Sequence, residues 1–355
     1  MKPKSFSAKV YDAAIIGGGP AGSSAACVLA DAGFSTVVID KRKRIGYPVQ
    51  CAEFIHRAGY DGPREFISQP ILEMVTHLPD GSVHRSKSPG YTIHRDLYDA
   101  FLAEKAKNRG VEFLLRCEGR IAAGSLTINY GASKTLNAKT IINASGPRAA
   151  DGAIKAISRQ VTLPLDRPLK DIHVWMGKEF TGGYAWLFPK GELANVGVAV
   201  SPTNGRPDLK EILDNFVGTI QGEFQLGARP LRVTGGKIPL SGVTSLLEGK
   251  VLTVGDAAGI THPVSGEGIY RAVISGRMAA GAVVAFLQSG DIGDLKKYPS
   301  ALLGIYEKSF QRDKRKRQMW RESFDRGGPT SDEYRALWIG FPEYYAPAHY
   351  EAETV

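Results

Sequence analysis

At 355 residues the chain exceeds the size at which a single hydrophobic core usually stops growing, so two structural units are expected. Its 45 Lys plus Arg against 36 Asp plus Glu favour anionic partners, whether phosphates, acidic proteins or an anionic lipid surface, and no nucleic-acid partner is expected. Cys27, Cys51 and Cys117 form an odd count without CxxC spacing, which argues against a disulfide framework or a zinc site, predicts no metal, and fits a reducing cytoplasm.

Residues 1–9 carry three lysines and read as a loose arm, because the apolar run after them is a short strand and not a secretory signal. Residues 13–16 form that strand. They run into Gly17-Gly18-Gly19-Pro20-Ala21-Gly22, a helix over 23–32 and a second strand over 36–40. Gly17 permits a tight turn, Gly19 admits a pyrophosphate to the backbone, and Gly22 lets the helix pack on the strand. The helix start at Ala21 and Gly22 then presents amides to phosphate charge. Asp40, 18 residues after Gly22, stands where an acid accepts hydrogen bonds from ribose hydroxyls, and Lys41 beside it can help neutralise phosphate. This motif alone does not separate FAD from NAD.

Further on, His94-Arg95-Asp96-Leu97 opens a helix that continues through residues 100–110. Residues 184–190, Tyr-Ala-Trp-Leu-Phe-Pro-Lys, read as a strand of period two, with Tyr184, Trp186 and Phe188 on one face and Ala185 and Leu187 on the other. Such a stripe is either core or an aromatic wall, and Pro189 ends the strand or marks an edge. Residues 250–254 form a buried strand that runs into Gly255-Asp256-Ala257-Ala258-Gly259, a second polar elbow. Pro263 and Gly266-Glu267-Gly268-Ile269 then open a long helix through Ala272, Ala279 and Ala280, whose N-terminal amides suit a negative charge. Within it, the longest apolar stretch, residues 278–287, falls short of the roughly 20 residues that cross a bilayer, so any membrane contact is expected to be peripheral.

From Glu307 the chain turns basic, with Lys308, Arg312, Lys314, Arg315, Lys316, Arg317 and Arg321 interleaved with Phe310, Met319 and Trp320. That pattern is a solvated surface helix or a basic amphipathic helix lying on anionic headgroups. The tail over 331–355, with Trp338, Tyr344 and Tyr345, is too aromatic for disorder. No second GxGxxG with a following acid appears, so the electron donor is expected to dock transiently or to be a protein.

With its N-terminal glycine fingerprint and late Gly255-Asp256 segment, the chain resembles the flavoprotein group typified by para-hydroxybenzoate hydroxylase. The resemblance implies an α/β fold: a Rossmann-type FAD domain over 1–160 and 235–290, an inserted sheet-rich α+β substrate domain over 161–234, and a helical C-terminal segment over 291–355. It also implies that Arg95 touches FAD, that Asp256 binds the ribityl chain, and that Gly255, Gly266, Gly268 and Ile269 line the flavin end.

Two segments resemble the geranylgeranyl reductase family more narrowly. In Tyr47-Pro48-Val49-Gln50-Cys51-Ala52-Glu53 the resemblance implies that Cys51 and Ala52 lie against the flavin, although a free cysteine is commonly a buried structural thiol. Residues 184–190 match that family's YxWxFP signature, which assigns Tyr184, Trp186 and Phe188 to an isoprenoid chain. Departures are also present. Ala52-Glu53 replaces a common glycine pair, Gly197-Val198-Ala199 lacks the second glycine of GxG, and Asn143-Ala144-Ser145-Gly146-Pro147 replaces an Ala-Asp-Gly run, with Asp151-Gly152 displaced downstream. The chain is also short on its C-terminal side for this family, which predicts a smaller tunnel or a different substrate.

The implied chemistry is hydride transfer from reduced flavin to a carbon–carbon double bond of an isoprenoid or prenyl lipid. Cys51 or a bound water supplies the proton, and the ring faces of Tyr184 and Trp186 stabilise developing positive charge. Electrons come from NAD(P)H or reduced ferredoxin, and the expected location is cytoplasmic, with peripheral contact at the inner face of an anionic membrane. The same fold also serves monooxygenases, halogenases and flavoproteins that pass electrons to quinone.

Overall fold

The computed structural model describes residues 9–122, 124–129, 133–147, 155–201 and 207–346. The expected arm over 1–8, the Asp151-Gly152 pair and the tail beyond 346 lie outside the described residues. In chain order the first half holds β1 (Val10–Ile16), α1 (Pro20–Asp31), β2 (Thr36–Asp40), β3 (Phe54–His56), β4 (Ile67–His77), β5 (Val83–Ile93), α2 (Arg95–Lys107), β6 (Glu112–Leu115), β7 (Glu118–Ala122), β8 (Ser125–Asn129) and β9 (Ser133–Asn143). The second half holds β10 (Lys155–Pro164), β11 (Ile172–Trp175), β12 (Tyr184–Lys190), β13 (Leu193–Val200), α3 (Leu209–Ile220), β14 (Arg232–Pro239), β15 (Leu247–Glu248), β16 (Val251–Thr253), α4 (Ile269–Ser289), α5 (Lys297–Phe324) and α6 (Ser331–Leu337).

The first sheet runs β15-β16-β9-β1-β2-β6, and its pairs from β16 to β6 are parallel. A parallel sheet must be covered on both faces, and this one is. Ala13 and Ile15 of β1 pack with Ala25, Ala26 and Leu29 of α1 and Ala279 and Val283 of α4, while Ala14 and Ile16 meet Leu126, Ile128 and Leu136 of the β7-β8-β9 meander. α1 and α4 approach closely because their facing residues are small: a Cβ on Gly276 would lie 2.2 Å from the Ala21 carbonyl oxygen. The apolar stretch at 278–287 thus belongs to a 21-residue helix that is long and apolar enough to cross a bilayer by length and composition, yet buries half of its most apolar window within the protein.

The second sheet runs β14-β10-β13-β12-β11-β4-β5-β3 and is antiparallel except at β4-β11. Its strands come from two separate stretches, 54–93 and 155–239, so the expected boundaries at 160/161 and 234/235 fall inside β10 and β14. The reason is a long-range parallel pairing, Ile172 with Met74 through Trp175 with His77, which joins the early hairpin to the β11 edge of the later meander. One face of this sheet is closed by α3, where Asp208 caps the first turn by accepting from the Lys210 and Glu211 amides, and Leu213, Phe216 and Ile220 are buried. Each of these side chains contributes about 1.5–3 kcal/mol of apolar burial. α5 and α6 close the other face.

Candidate active site

The turn after β1 is shaped by close backbone approach. Gly17 has φ +97°, and a Cβ there would lie 2.2 Å from the Ala144 carbonyl oxygen; a Cβ on Gly22 would lie 1.8 Å from that of Gly17. Gly19 differs, since a Cβ there would meet only Arg42 Nη2 at 3.9 Å, which leaves its surface open to a ligand. Pro20 sits at the first helical position, and the first-turn amides of α1, Ala21 and Gly22 among them, lack intrahelical acceptors. Asp40 ends β2 and is buried. Its carboxylate accepts from Gly18 N (2.8 Å) and is gripped by Arg42 through Nε (2.9 Å) and Nη2 (2.7 Å). Arg42 was not singled out in the sequence, although its position two residues from the acid was visible there. Lys41 is exposed.

Loops after β2 and β16 and the start of α2 converge at the same carboxyl edge, the place where open α/β sheets bind ligands. Residues 47–53 are stitched to the second sheet by side chains on one of its faces. Thr234 donates to the Val49 carbonyl (2.8 Å), Gln160 to that of Cys51 (3.1 Å), and Asn195 to that of Ala52 (3.2 Å). The last stitch is ionic. Glu53, with no exposure and φ +71°, accepts from Lys190 Nζ (2.7 Å), Arg232 Nη2 (3.0 Å), Asn195 Nδ2 (3.0 Å) and Arg95 N (3.0 Å). Burial alone would raise its carboxyl, but the Lys190 ammonium and these hydrogen bonds hold it below the ordinary glutamate value.

This lock fixes Cys51 two residues away, where the Glu53 amide donates to Sγ at 3.1 Å. Burial pushes the Cys51 thiol up, against the pull of the neighbouring Arg95 guanidinium, so Sγ carries its proton at neutral pH. Arg95 itself makes a two-pronged pair with Asp99, 2.9 Å on each oxygen, and stays charged despite burial. Arg95 also reaches Asp256 electrostatically, which brings the two predicted flavin-end residues and Cys51 together. Asp256 follows Gly255 (φ +59°) and accepts from Thr261 Oγ1 at 2.7 Å; burial raises its carboxyl. Gly268 caps α4 beside it, Gly266 takes φ +72°, and Ile269 turns into the core with Val273 and Tyr98.

The aromatic strand alternates as its period requires. Trp186 and Phe188 face the cluster that holds Trp320, Trp338 and Phe341, with Tyr184 at its edge, and Ala185 and Leu187 face α3. Pro189 does not end the strand: β12 continues to Lys190, and Pro189 sits opposite Ala194 just beyond the stretch paired with β11. Trp186 donates Nε1–H to Gln160 Oε1 (3.0 Å) and lies flat on Gly197, where a Cβ would be 2.3 Å from Cζ2. Tyr184 donates its hydroxyl to the Ser265 carbonyl at 2.6 Å, which ties the wall to the loop before α4. His262 organises that loop, with Nδ1 accepting from the Val264 and Ser265 amides at 3.2 Å and Nε2 facing Asp313 of α5 at 3.2 Å. Gln160, Lys190, Asn195 and Arg232 escaped sequence reading because polar residues within strands carry no sign of the loop they will meet, and His262 because its partner Asp313 lies 51 residues on.

A profile of the geranylgeranyl reductase catalytic domain matches residues 155–238, and one of the NAD(P)-binding Rossmann-like domain matches residues 15–66. The chain is 32% identical over 316 residues to a digeranylgeranylglycerophospholipid reductase of Methanothrix thermoacetophila, covering 79% of this chain and 80% of the relative. It is 29% identical over 343 residues to the protein of that name from Methanosarcina acetivorans, covering 85% and 81%. Among solved structures, a geranylgeranyl bacteriochlorophyll reductase-like protein of Thermoplasma acidophilum superposes with a TM-score of 0.80 at 25% identity, over 92% of this chain and 90% of that one. A flavin-dependent brominase shares the fold at a TM-score of 0.70 and 15% identity, over 95% and 89%.

Proposed function

We propose a function from one premise: the chain belongs to the family of digeranylgeranylglycerophospholipid reductases. It is a flavoprotein reductase that binds FAD along the carboxyl edge of the parallel sheet and saturates carbon–carbon double bonds of a geranylgeranyl-type chain in a lipid or prenylated precursor. The carrying observation is the seating of the Cys51 loop on the sheet face that presents Tyr184, Trp186 and Phe188.

The residues fit FAD. The open backbone at Gly19 and the first-turn amides of α1 suit a pyrophosphate, the Asp40–Arg42 pair stands at the ribose position, Asp256 suits the ribityl chain, and Arg95 and the N-terminus of α4 suit the flavin end. When bound, FAD supplies the hydride. An isolated alkene is a poor hydride acceptor, so the protein must deliver a proton to the neighbouring carbon, and the Cys51 thiol holds one at Sγ. Tyr184, its hydroxyl engaged by Ser265, and Trp186, its N–H engaged by Gln160, keep only their ring faces to offer developing positive charge. Electrons arrive from NAD(P)H or reduced ferredoxin docking transiently. The protein works in the cytoplasm at the inner face of an anionic membrane, where Ile305, Lys308, Arg315 and Met319 form an exposed cationic and apolar stripe on α5.

The test is anaerobic. The yellow protein is reduced with dithionite, a geranylgeranyl lipid is added, and mass spectrometry follows added hydrogen pairs. Stepwise gain with flavin reoxidation is expected. No gain, with the flavin reduced until oxygen enters, would replace this reading with an oxygen-using one. Cys51→Ala should retain the yellow cofactor and slow turnover by about 10²-fold or more; unchanged turnover removes Cys51 as the proton source.

A further inference from the structure

The strongest electrostatic anomaly outside the Cys51 loop is Arg317 on α5. It is 2% exposed, and its Nη1 donates to the Gly182 carbonyl at 2.6 Å, while Nε and Nη2 have no hydrogen-bond partner. Among the described residues no carboxylate pairs with it; another cation, Arg321, repels it, and its Cζ lies 5.9 Å from the centre of the Trp320 ring. One turn on, Trp320 is fully buried and its indole N–H is also unpartnered. Buried donors of this kind normally carry a partner, and an uncompensated guanidinium is the costliest exception. Three orphan N–H groups around a cation fit an oxyanion.

Their position gives the anion a context. Trp320 touches Trp338 (6.0 Å between ring centroids), Trp338 touches Tyr184 (4.8 Å), and Tyr184 touches Trp186 (5.9 Å), which leads to Phe188 and the Cys51 loop. An aromatic row therefore joins the orphan cation to the proposed reaction centre, about 13 Å of it along the strand from Tyr184 to Phe188 alone. One charged end and a long apolar run describe an amphiphile whose head is anionic. The face of Tyr184 and Trp186 is covered by the protein's own residues 338–341, with Trp338 and Phe341 buried against it. Displacing residues 338–341 alone would uncover Tyr184 and the Trp320 ring while α5 keeps Arg317 in place.

We propose that Arg317 and the Trp320 indole N–H receive the phosphoryl end of the prenyl substrate, whose chain takes the place of residues 338–341 along Tyr184 and Trp186. This rests on the reductase reading for its substrate class but not for its test, which measures binding. FAD-loaded protein is titrated with geranylgeranyl diphosphate and with geranylgeraniol, followed by tryptophan fluorescence. A single charge-assisted hydrogen bond is worth about 10- to 100-fold, so the diphosphate should bind at least tenfold more tightly. R317Q should reduce that preference to about threefold or less while leaving geranylgeraniol affinity and FAD content unchanged. W320F, which keeps the aromatic bulk, should lose part of it, and serves if R317Q does not fold. Inorganic diphosphate should compete with geranylgeranyl diphosphate on the wild type and lose that ability in the variants, which separates recognition of the head from recognition of the tail. Equal affinities in the wild type, or a preference that survives both variants, overturns the site. Intact discrimination with no hydrogenation of either probe overturns the reductase reading and leaves the site standing; hydrogenation of both without discrimination does the reverse.

Discussion

A carboxylate with no exposure persists only where donors surround it, and Glu53 accepts from four. Removing its charge leaves Lys190 buried and unpaired, so Glu53→Gln should lower stability by about 3–5 kcal/mol in urea unfolding. Because the cost lies in the stranded ammonium, E53Q combined with Lys190→Met should recover most of that loss; a double variant as weak as the single one would show that Glu53 acts through its backbone position alone. The same chemistry sets the pH dependence. His262 is pushed by burial down to about 4 from 6.5, against the attraction of Asp313. The unfolded chain binds this proton more readily than the folded one, so the stability tied to a neutral His262 is complete above pH 6.5 and is lost as pH falls toward 4, about 3 kcal/mol at its fullest. His77 and His173 shift the same way. Glu53, depressed below its ordinary 4.5, holds its contribution above that value and loses it on further acidification. Unfolding midpoints should therefore fall in two stages, and His262→Gln should flatten the upper one. An unchanged upper slope would mean that His77 and His173 carry it alone.

At the scale of elements, β12 and β13 work as a unit because Trp186 lies on Gly197. Gly197→Ala places a methyl 2.3 Å from Cζ2, between two strands that cannot part. Overpacking of this kind costs about 1–3 kcal/mol, and here it also turns the indole away from Gln160, so turnover should fall more than the unfolding midpoint does. Full activity at a lowered midpoint would take the Trp186 orientation out of the mechanism. The glycine at 197 was legible as half of a GxG; what it accommodates was not. The strand–turn–helix from β1 to β2, the Gly255 elbow and the alternation of β12 were readable because each is local, set by a period of two and by glycines at fixed offsets. The Glu53–Lys190 bond spans 137 residues and the β4–β11 pairing nearly a hundred, and no local pattern encodes either partner. α5 shows the limit best. Its basic run reads as one solvated or lipid-facing surface, yet Asp313, Arg317 and Trp320 on the inner side are buried, since His262, Gly182 and Tyr344 from three other segments meet that side.

At the scale of the whole molecule, the charge of +9 and the outer stripe of α5 bear on where the protein works. Ile305, Lys308, Arg312, Arg315 and Met319 recur at intervals of three and four residues, so they share one side of the helix, opposite Phe310 and Arg317. The other side of α5 carries Arg317 and Trp320, so a surface that held this stripe would also hold the helix that bears the proposed head-group site. Cations near an anionic bilayer contribute about 1 kcal/mol each, and the effect decays within a Debye length of about 8 Å at physiological salt. K308E/R315E reverses two charges on the stripe without touching a buried residue. Co-sedimentation with vesicles containing anionic phospholipid should therefore fall by about tenfold or more, while hydrogenation of a short detergent-dispersed prenyl substrate stays at the wild-type rate. Binding should also weaken between low and high salt in the wild type and much less in the variant. Equal sedimentation of both proteins would return α5 to an ordinary solvated helix and leave delivery of a lipid substrate to another surface; loss of activity toward the dispersed substrate as well would place the stripe in the folding of the C-terminal segment and not in membrane contact.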